Sequence, residues 1–207
     1  MNQETIVLVH GLWMNGLEMS LLRHRLTQDG YRVERFKYNN MLLNPMENAA
    51  RLNQFVSELN AKVVHFVGYS LGGIVIRHLF YRYPEQKPGR VVTMGTPHKP
   101  SYSAYALAKF APSKLLLGQS IINGLLGNVP PWSKTHDLGS IAGTLRLGLG
   151  MFIAGLARPN DGAVAVSETR IDGMKDHTEV RASHFSLLLS EKAAKQILYF
   201  LKNGMFH

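Results

Sequence analysis

The sequence has no cysteine among its 207 residues. That excludes disulfides, thiolate nucleophiles, Cys-containing zinc fingers and Cys-ligated iron–sulfur clusters. Charge is sparse too, at 18% charged against 45% hydrophobic residues, which is the composition of a globular chain and not of a disordered one. No repeat or low-complexity tract interrupts it. The opening Met1-Asn2-Gln3-Glu4 lacks the basic segment and long apolar run of a signal peptide, so a cytoplasmic location is the expectation.

The net charge of +9 raises nucleic acid or an anionic membrane surface as partners. Its distribution argues against the first. Residues 1–100 hold 12 Lys+Arg and 7 Asp+Glu, and residues 101–207 hold 11 and 7, with no basic tail or long Lys/Arg run. Nucleic acid is therefore not expected, and peripheral contact with an anionic membrane is left as a weak expectation. One stretch, Leu138 to Ala157, has the length and low charge of a membrane span. It carries glycines at 139, 143, 148, 150 and 155, which weaken a helix, and Ser140–Thr144 reads better as a short buried strand.

What is present is an alternation of strands and helices. Thr5–Val9, Val63–Val67 and Val91–Met94 are β-branched or apolar runs without polar alternation, as expected of strands buried on both faces. Tyr31–Lys37 and Thr178–Ala182 are further candidate strands. Helices are expected with Leu17, Leu21, Leu22 and Leu26 on one face, from Asn44-Pro45-Met46-Glu47 to about Asn60, from Leu71 to Tyr83, and after Ser190 with Ala194, Ile197, Leu198 and Leu201 inward. Such alternation implies an α/β fold, a mostly parallel sheet with helices on both faces. At roughly 150 residues per domain the length fits one domain. Ala104–Leu126, rich in Ala, Leu, Ile and Gly, reads either as one or two helices over a site or as ordinary packing beside the sheet.

Gly68-Tyr69-Ser70-Leu71-Gly72-Gly73 is the strongest chemical signal, a G-x-S-x-G between a predicted strand and a predicted helix. A turn that sharp needs Gly68 and Gly72 to lack side chains, and it lifts the Ser70 hydroxyl above the sheet. A serine nucleophile needs a base and an orienting acid, expected in the chain order Ser, Asp or Glu, His. Asp161, in the turn Asn160-Asp161-Gly162, is the candidate acid and His184 the candidate base. Asp137 is the best rival acid, ahead of Asp172 and Asp176. Among the other histidines, His177 falls in a polar run and reads as solvated, His24 and His78 read as surface positions, and His65 as a hydrogen-bonded core residue. His136 stays an alternative base, and terminal His207 reads as uninvolved. His10-Gly11-Leu12-Trp13 follows the first strand, where a loop supplies an oxyanion donor; the backbone N–H groups of Leu12 and Leu71 are the candidates.

With these residues in view, the sequence resembles the α/β-hydrolase superfamily, in particular small bacterial lipases and esterases. The match rests on His10-Gly11-Leu12-Trp13, the Gly68–Gly73 elbow, Asp161-Gly162-Ala163-Val164 and His184, and the strand pattern extends it over nearly the whole chain. The resemblance implies a minimal α/β-hydrolase core over 1–207 without the family's leading antiparallel strands, and with a site-covering excursion within 100–160. It implies ester hydrolysis through an acyl-enzyme, with acyl transfer or thioester cleavage by the same groups as the alternative and a non-catalytic binding protein as a remoter one. Trp13, Tyr69 and Phe185 are expected to line the substrate pocket. A small-molecule or lipid-like acyl ester is the expected partner, no metal or cofactor is expected, and the oligomeric state is left open.

Overall fold

The computed structural model describes residues 3–109, 115–148, 153 and 155–207. Six strands form one sheet: β1 (Thr5–Val9), β2 (Arg32–Phe36), β3 (Val64–Tyr69), β4 (Val91–Met94), β5 (Leu138–Gly143) and β6 (Asp176–Val180). Their spatial order is β2-β1-β3-β4-β5-β6, and every pairing is parallel. The four inner strands are buried along their whole length, which explains their unbroken apolar runs. Parallel pairing requires crossovers, and helices supply them.

Successive side chains of a strand face opposite layers, so two cores form. Ile6 and Leu8 of β1 pack with Leu22 and Leu26 of α1 (Ser20–Gln28) and with Ile197 and Phe200 of the C-terminal helix. Val7 and Val9 pack on the other side with Leu52 and Val56 of α2 (Pro45–Glu58) and Val75 and Leu79 of α3 (Leu71–Arg82). Further helices are α4 (Tyr102–Ala108), α5 (Ser186–Leu189) and α6 (Glu191–Asn203). The α2 start is the expected one: Asn44 and Glu47 form a reciprocal capping box with Pro45 at the first position. Ser190 caps α6, and Gly204 ends it in the left-handed conformation.

The expectations for α1, β6, His177 and His78 need correction. The buried face of α1 is Leu22 and Leu26, continued by Met19 of the 3₁₀ turn Leu17–Met19 that precedes the helix and rotates the register, while Leu17 and Leu21 are exposed. The sixth strand begins two residues earlier than its apolar signal, since β6 is an edge strand with a polar face; His177 lies on it, half-buried, and bonds Thr169 at 2.9 Å. His78 is buried, because α3 is enclosed on all sides through Phe80; its Nε2–H donates to the Asn123 carbonyl at 2.7 Å. The Ala104–Leu126 tract contributes the end of α4 and a 3₁₀ turn at Gly118–Ile121, and its residues 110–114 lie outside the described residues. The membrane-like stretch opens as the buried strand β5, with 149–152 and 154 outside the described residues; no helix among the described residues is long and apolar enough to cross a membrane.

Candidate active site

The strand order reverses between β1 and β3, so the crevice beyond their carboxyl ends is a topological switch point, where ligands bind in open α/β sheets. The loop His10–Trp13 leaves β1 there and Ser70 leaves β3 beside it. Ser70 has φ 51° and ψ −120°, a strained conformation for a residue with a side chain. Close packing enforces it. A Cβ at Gly68 would lie 2.7 Å from the Gly73 backbone, one at Gly72 2.1 Å from the Val9 carbonyl oxygen, and one at Gly73 2.3 Å from Thr96 Oγ1. The clash that excludes side chains at 68 and 72 is therefore with α3 and β1.

Ser70 Oγ is 3.0 Å from His184 Nε2, and His184 Nδ1 is 2.7 Å from Asp161 Oδ2. A carboxylate only accepts, so Nδ1 carries the proton and Nε2 is left to accept from the serine. The backbone of His184 is held at both ends: its N–H donates to the Asp161 carbonyl at 2.8 Å, and the Tyr69 hydroxyl donates to its carbonyl at 2.9 Å. Burial, helped by the charge of Asp161, pushes the Tyr69 phenol up, so it remains a donor. The other oxygen of Asp161 accepts from Ala163 N and Val164 N at 2.9 and 2.7 Å, which fixes the carboxylate plane. Asp161 is 1% exposed and His184 21%, an acid sealed beneath a base that water reaches.

The rivals are elsewhere. Asp137 precedes β5, at the opposite edge of the sheet, and pairs with Arg90 at 3.6 Å and Lys175 at 3.9 Å. His136 bonds the Lys87 carbonyl at 3.0 Å in that same region, and His65 bonds Glu4 at 3.0 Å. Asp172 and His24 are exposed, and Asp176 accepts from His177 N and Phe206 N. A polar concavity of 850 Å³ opens at that edge among Glu4, His65, Arg90 and Asp137, and no serine lines it.

A second cavity, of 430 Å³, opens directly over Ser70 and His184. Its walls are mostly apolar: Leu12, Leu107, Leu117, Leu125, Leu147 and Val164. Trp13, Tyr69 and Phe185 also line it, Trp13 half-exposed with its indole N–H on the Leu116 carbonyl at 2.7 Å. Leu71 is the first residue of α3, where a backbone N–H has no intrahelical acceptor, and Leu12 lies across the cavity mouth in the β1 loop. His10 is fully buried; its ring stacks on Tyr38 and burial lowers its pKa. Among the described residues no cluster of His, Asp and Glu could hold a metal ion.

Sequence reasoning passes over several residues that shape the site. Glu168 accepts from Tyr102 N at 2.7 Å and Ala165 N at 2.8 Å, tying α4 to the Asp161 loop, and burial raises its pKa. Arg77 is buried, with no carboxylate partner among the described residues, and donates to the carbonyls of His98 and Pro130, which holds the loops behind the cavity. His98 is buried against Thr93 at 3.0 Å, and burial drives its pKa well down. Gly95, at φ 55°, passes under the imidazole, where a Cβ would sit 3.1 Å from both Asp161 Oδ2 and His184 Nδ1. The only sequence signal for Gly95–His98 is its place directly after a buried parallel strand.

No family sequence model and no curated protein matches the chain. Solved structures do. The chain is similar to the mature lipase BlEst2 of Bacillus licheniformis, with a TM-score of 0.73 and 22% identity over 97% of this chain and 91% of that one. It is similar to MGS-MChE2, an α/β hydrolase enzyme from a sediment metagenome of the Mar Chica lagoon, at 0.65 and 18% over 98% and 92%. It is also similar to the carboxylesterase CesB of Bacillus subtilis, at 0.62 and 15% over 98% and 85%. The fold of this chain is that of the α/β hydrolases.

Proposed function

We propose that this α/β-hydrolase-fold protein is a serine hydrolase that cleaves carboxylic esters through an acyl-enzyme. The observation that carries the reading is the continuous chain Ser70 Oγ–His184 Nε2–Asp161, at 3.0 and 2.7 Å, at the mouth of an apolar cavity. His184 Nε2 takes the hydroxyl proton as Ser70 Oγ bonds to the ester carbonyl carbon. The carbonyl oxygen becomes an oxyanion facing the N–H groups of Leu12 and Leu71. Its collapse breaks the bond to the alcohol oxygen, which receives the proton from His184. Water then repeats the sequence on the acyl-enzyme, giving its proton to His184 and releasing the acid and Ser70. Asp161 keeps the imidazole in the tautomer that accepts at Nε2 and stabilises the imidazolium.

The apolar walls favour an acyl or otherwise apolar ester, and the partial exposure of His184 lets water reach the base. The lipase and the carboxylesterase named among the structural neighbours agree with this chemistry. The test is Ser70→Ala assayed on p-nitrophenyl esters of graded chain length. Turnover is expected to fall by at least about 10³-fold at every length. Wild-type rates in that variant overturn the proposal.

A further inference from the structure

Each oxyanion N–H belongs to a peptide unit whose carbonyl oxygen points the opposite way, since a trans peptide is planar with N–H and C=O antiparallel. Whatever holds the carbonyl therefore aims the N–H. The unit that carries Leu12 N is closed by the Gly11 carbonyl. That oxygen accepts from Asn40 Nδ2 at 3.2 Å and lies 3.0 Å from His10 Nδ1, which donates because a carbonyl only accepts. Asn40 also donates to the Met14 carbonyl at 3.0 Å and accepts from Trp13 N at 3.2 Å. One buried amide thus fixes the loop on both sides of Leu12, and it stabilises Trp13 in a left-handed conformation at φ 59°.

The second donor is built the same way. The unit that carries Leu71 N is closed by the Ser70 carbonyl, which accepts from Thr96 Oγ1 at 2.9 Å and from Gly73 N at 3.1 Å. Thr96 is fully buried, and its hydroxyl occupies the space that a Cβ on Gly73 would fill. The two side chains come from segments that follow different strands, Asn40 after β2 and Thr96 after β4.

We infer that Asn40 and Thr96 are the positioning residues of the oxyanion hole, each orienting one donor by binding the carbonyl on the far side of its peptide, and each polarising that peptide so its N–H donates more strongly. This rests on the proposed acyl-transfer chemistry at Ser70. Neither residue touches substrate, so the effect belongs to the transition state, where charge develops on the oxygen, and not to ground-state binding.

The experiment compares Thr96→Val, Thr96→Ser, Asn40→Asp and Asn40→Ala with wild type, with kcat normalised to sites titrated by a fluorophosphonate. Thr96→Val keeps the shape and loses the donor; Asn40→Asp keeps the acceptor for Trp13 N and loses both amide donors. Each is expected to lower kcat about 10- to 100-fold, short of the 10²- to 10³-fold typical of deleting a donor outright, with KM changed less than about threefold. Affinity for an alkyl trifluoromethyl ketone, whose adduct carries the oxyanion, is expected to fall in parallel, and Thr96→Ser to recover most of the loss. The losses multiply in Thr96→Val/Asn40→Asp because the donors are separate. Unchanged kcat and ketone affinity in soluble Thr96→Val or Asn40→Asp overturn the inference, as does a loss that Thr96→Ser fails to recover. If Thr96→Val does not fold, Thr96→Ser and the Asn40 pair decide by the same readouts. An active Ser70→Ala would instead defeat the reading of the site itself, so the two failures are distinguishable.

Discussion

Asp161 combines two demands in one side chain. Oδ1 accepts two backbone N–H groups of its own turn, and Oδ2 faces His184. Asp161→Asn is expected to keep the first set by turning its carbonyl oxygen to Ala163 and Val164. It then presents an NH₂ group to His184 Nδ1 and forces the tautomer that protonates Nε2. Under the proposed mechanism kcat drops by roughly 10⁴-fold while thermal stability stays near wild type. A fall of less than tenfold, measured against Asp137→Asn as control, would remove Asp161 from the mechanism. Much at this scale is legible in the sequence, because a G-x-S-x-G carries its own steric reason. Asn40, Thr96 and Gly95 are not legible: their partners lie 26 to 29 positions away in chain for the two hydrogen-bonding side chains, and nothing local distinguishes their side chains from those of any loop.

Helix ends are read locally, and α2 and α6 accordingly start where their sequences say. Asn44 accepts from Glu47 N at 3.0 Å while Glu47 Oε2 accepts from Asn44 N at 2.8 Å. Asn44→Ala removes the first bond and leaves donors of the opening turn without partners, at a cost of about 1 kcal/mol. For a chain of this size that lowers Tm by about 2–4 °C, readable by calorimetry, with kcat unchanged. No shift in Tm would mean that water caps the helix equally well. The start of α1 is less legible because a 3₁₀ turn sets its register, and the wall of the cavity less still. There Arg77 joins the His98 and Pro130 loops, and Glu168 joins α4 to the Asp161 loop, pairings that only the packed chain creates.

The whole molecule carries a collective acid sensitivity. Burial holds His10, His65, His78, His98 and His177 below the ordinary histidine value, His177 at about 4. Between those depressed values and about 6.5 the unfolded chain binds protons that the folded chain refuses, so stability is full above about pH 6.5 and is lost as pH falls below it. Glu168 opposes this, because its raised pKa gives stability that is full in acid and fades as pH rises through the folded value. Five groups against one set the sign. Tm is expected to hold between pH 7 and 8 and to fall steadily from 6.5 to 4.5; a flat profile over that range would refute it. The sequence by itself determined the alternation of buried strands and amphipathic helices, the elbow and the helix caps, since each depends on residues within a turn or two of one another. The tertiary structure decided which aspartate meets His184, that α3 is enclosed on every side, and how Asn40 and Thr96 reach the carbonyls of Gly11 and Ser70. Those outcomes depend on which strand ends the crossovers bring together, and side-chain distances of about 3 Å exist only once the sheet has formed.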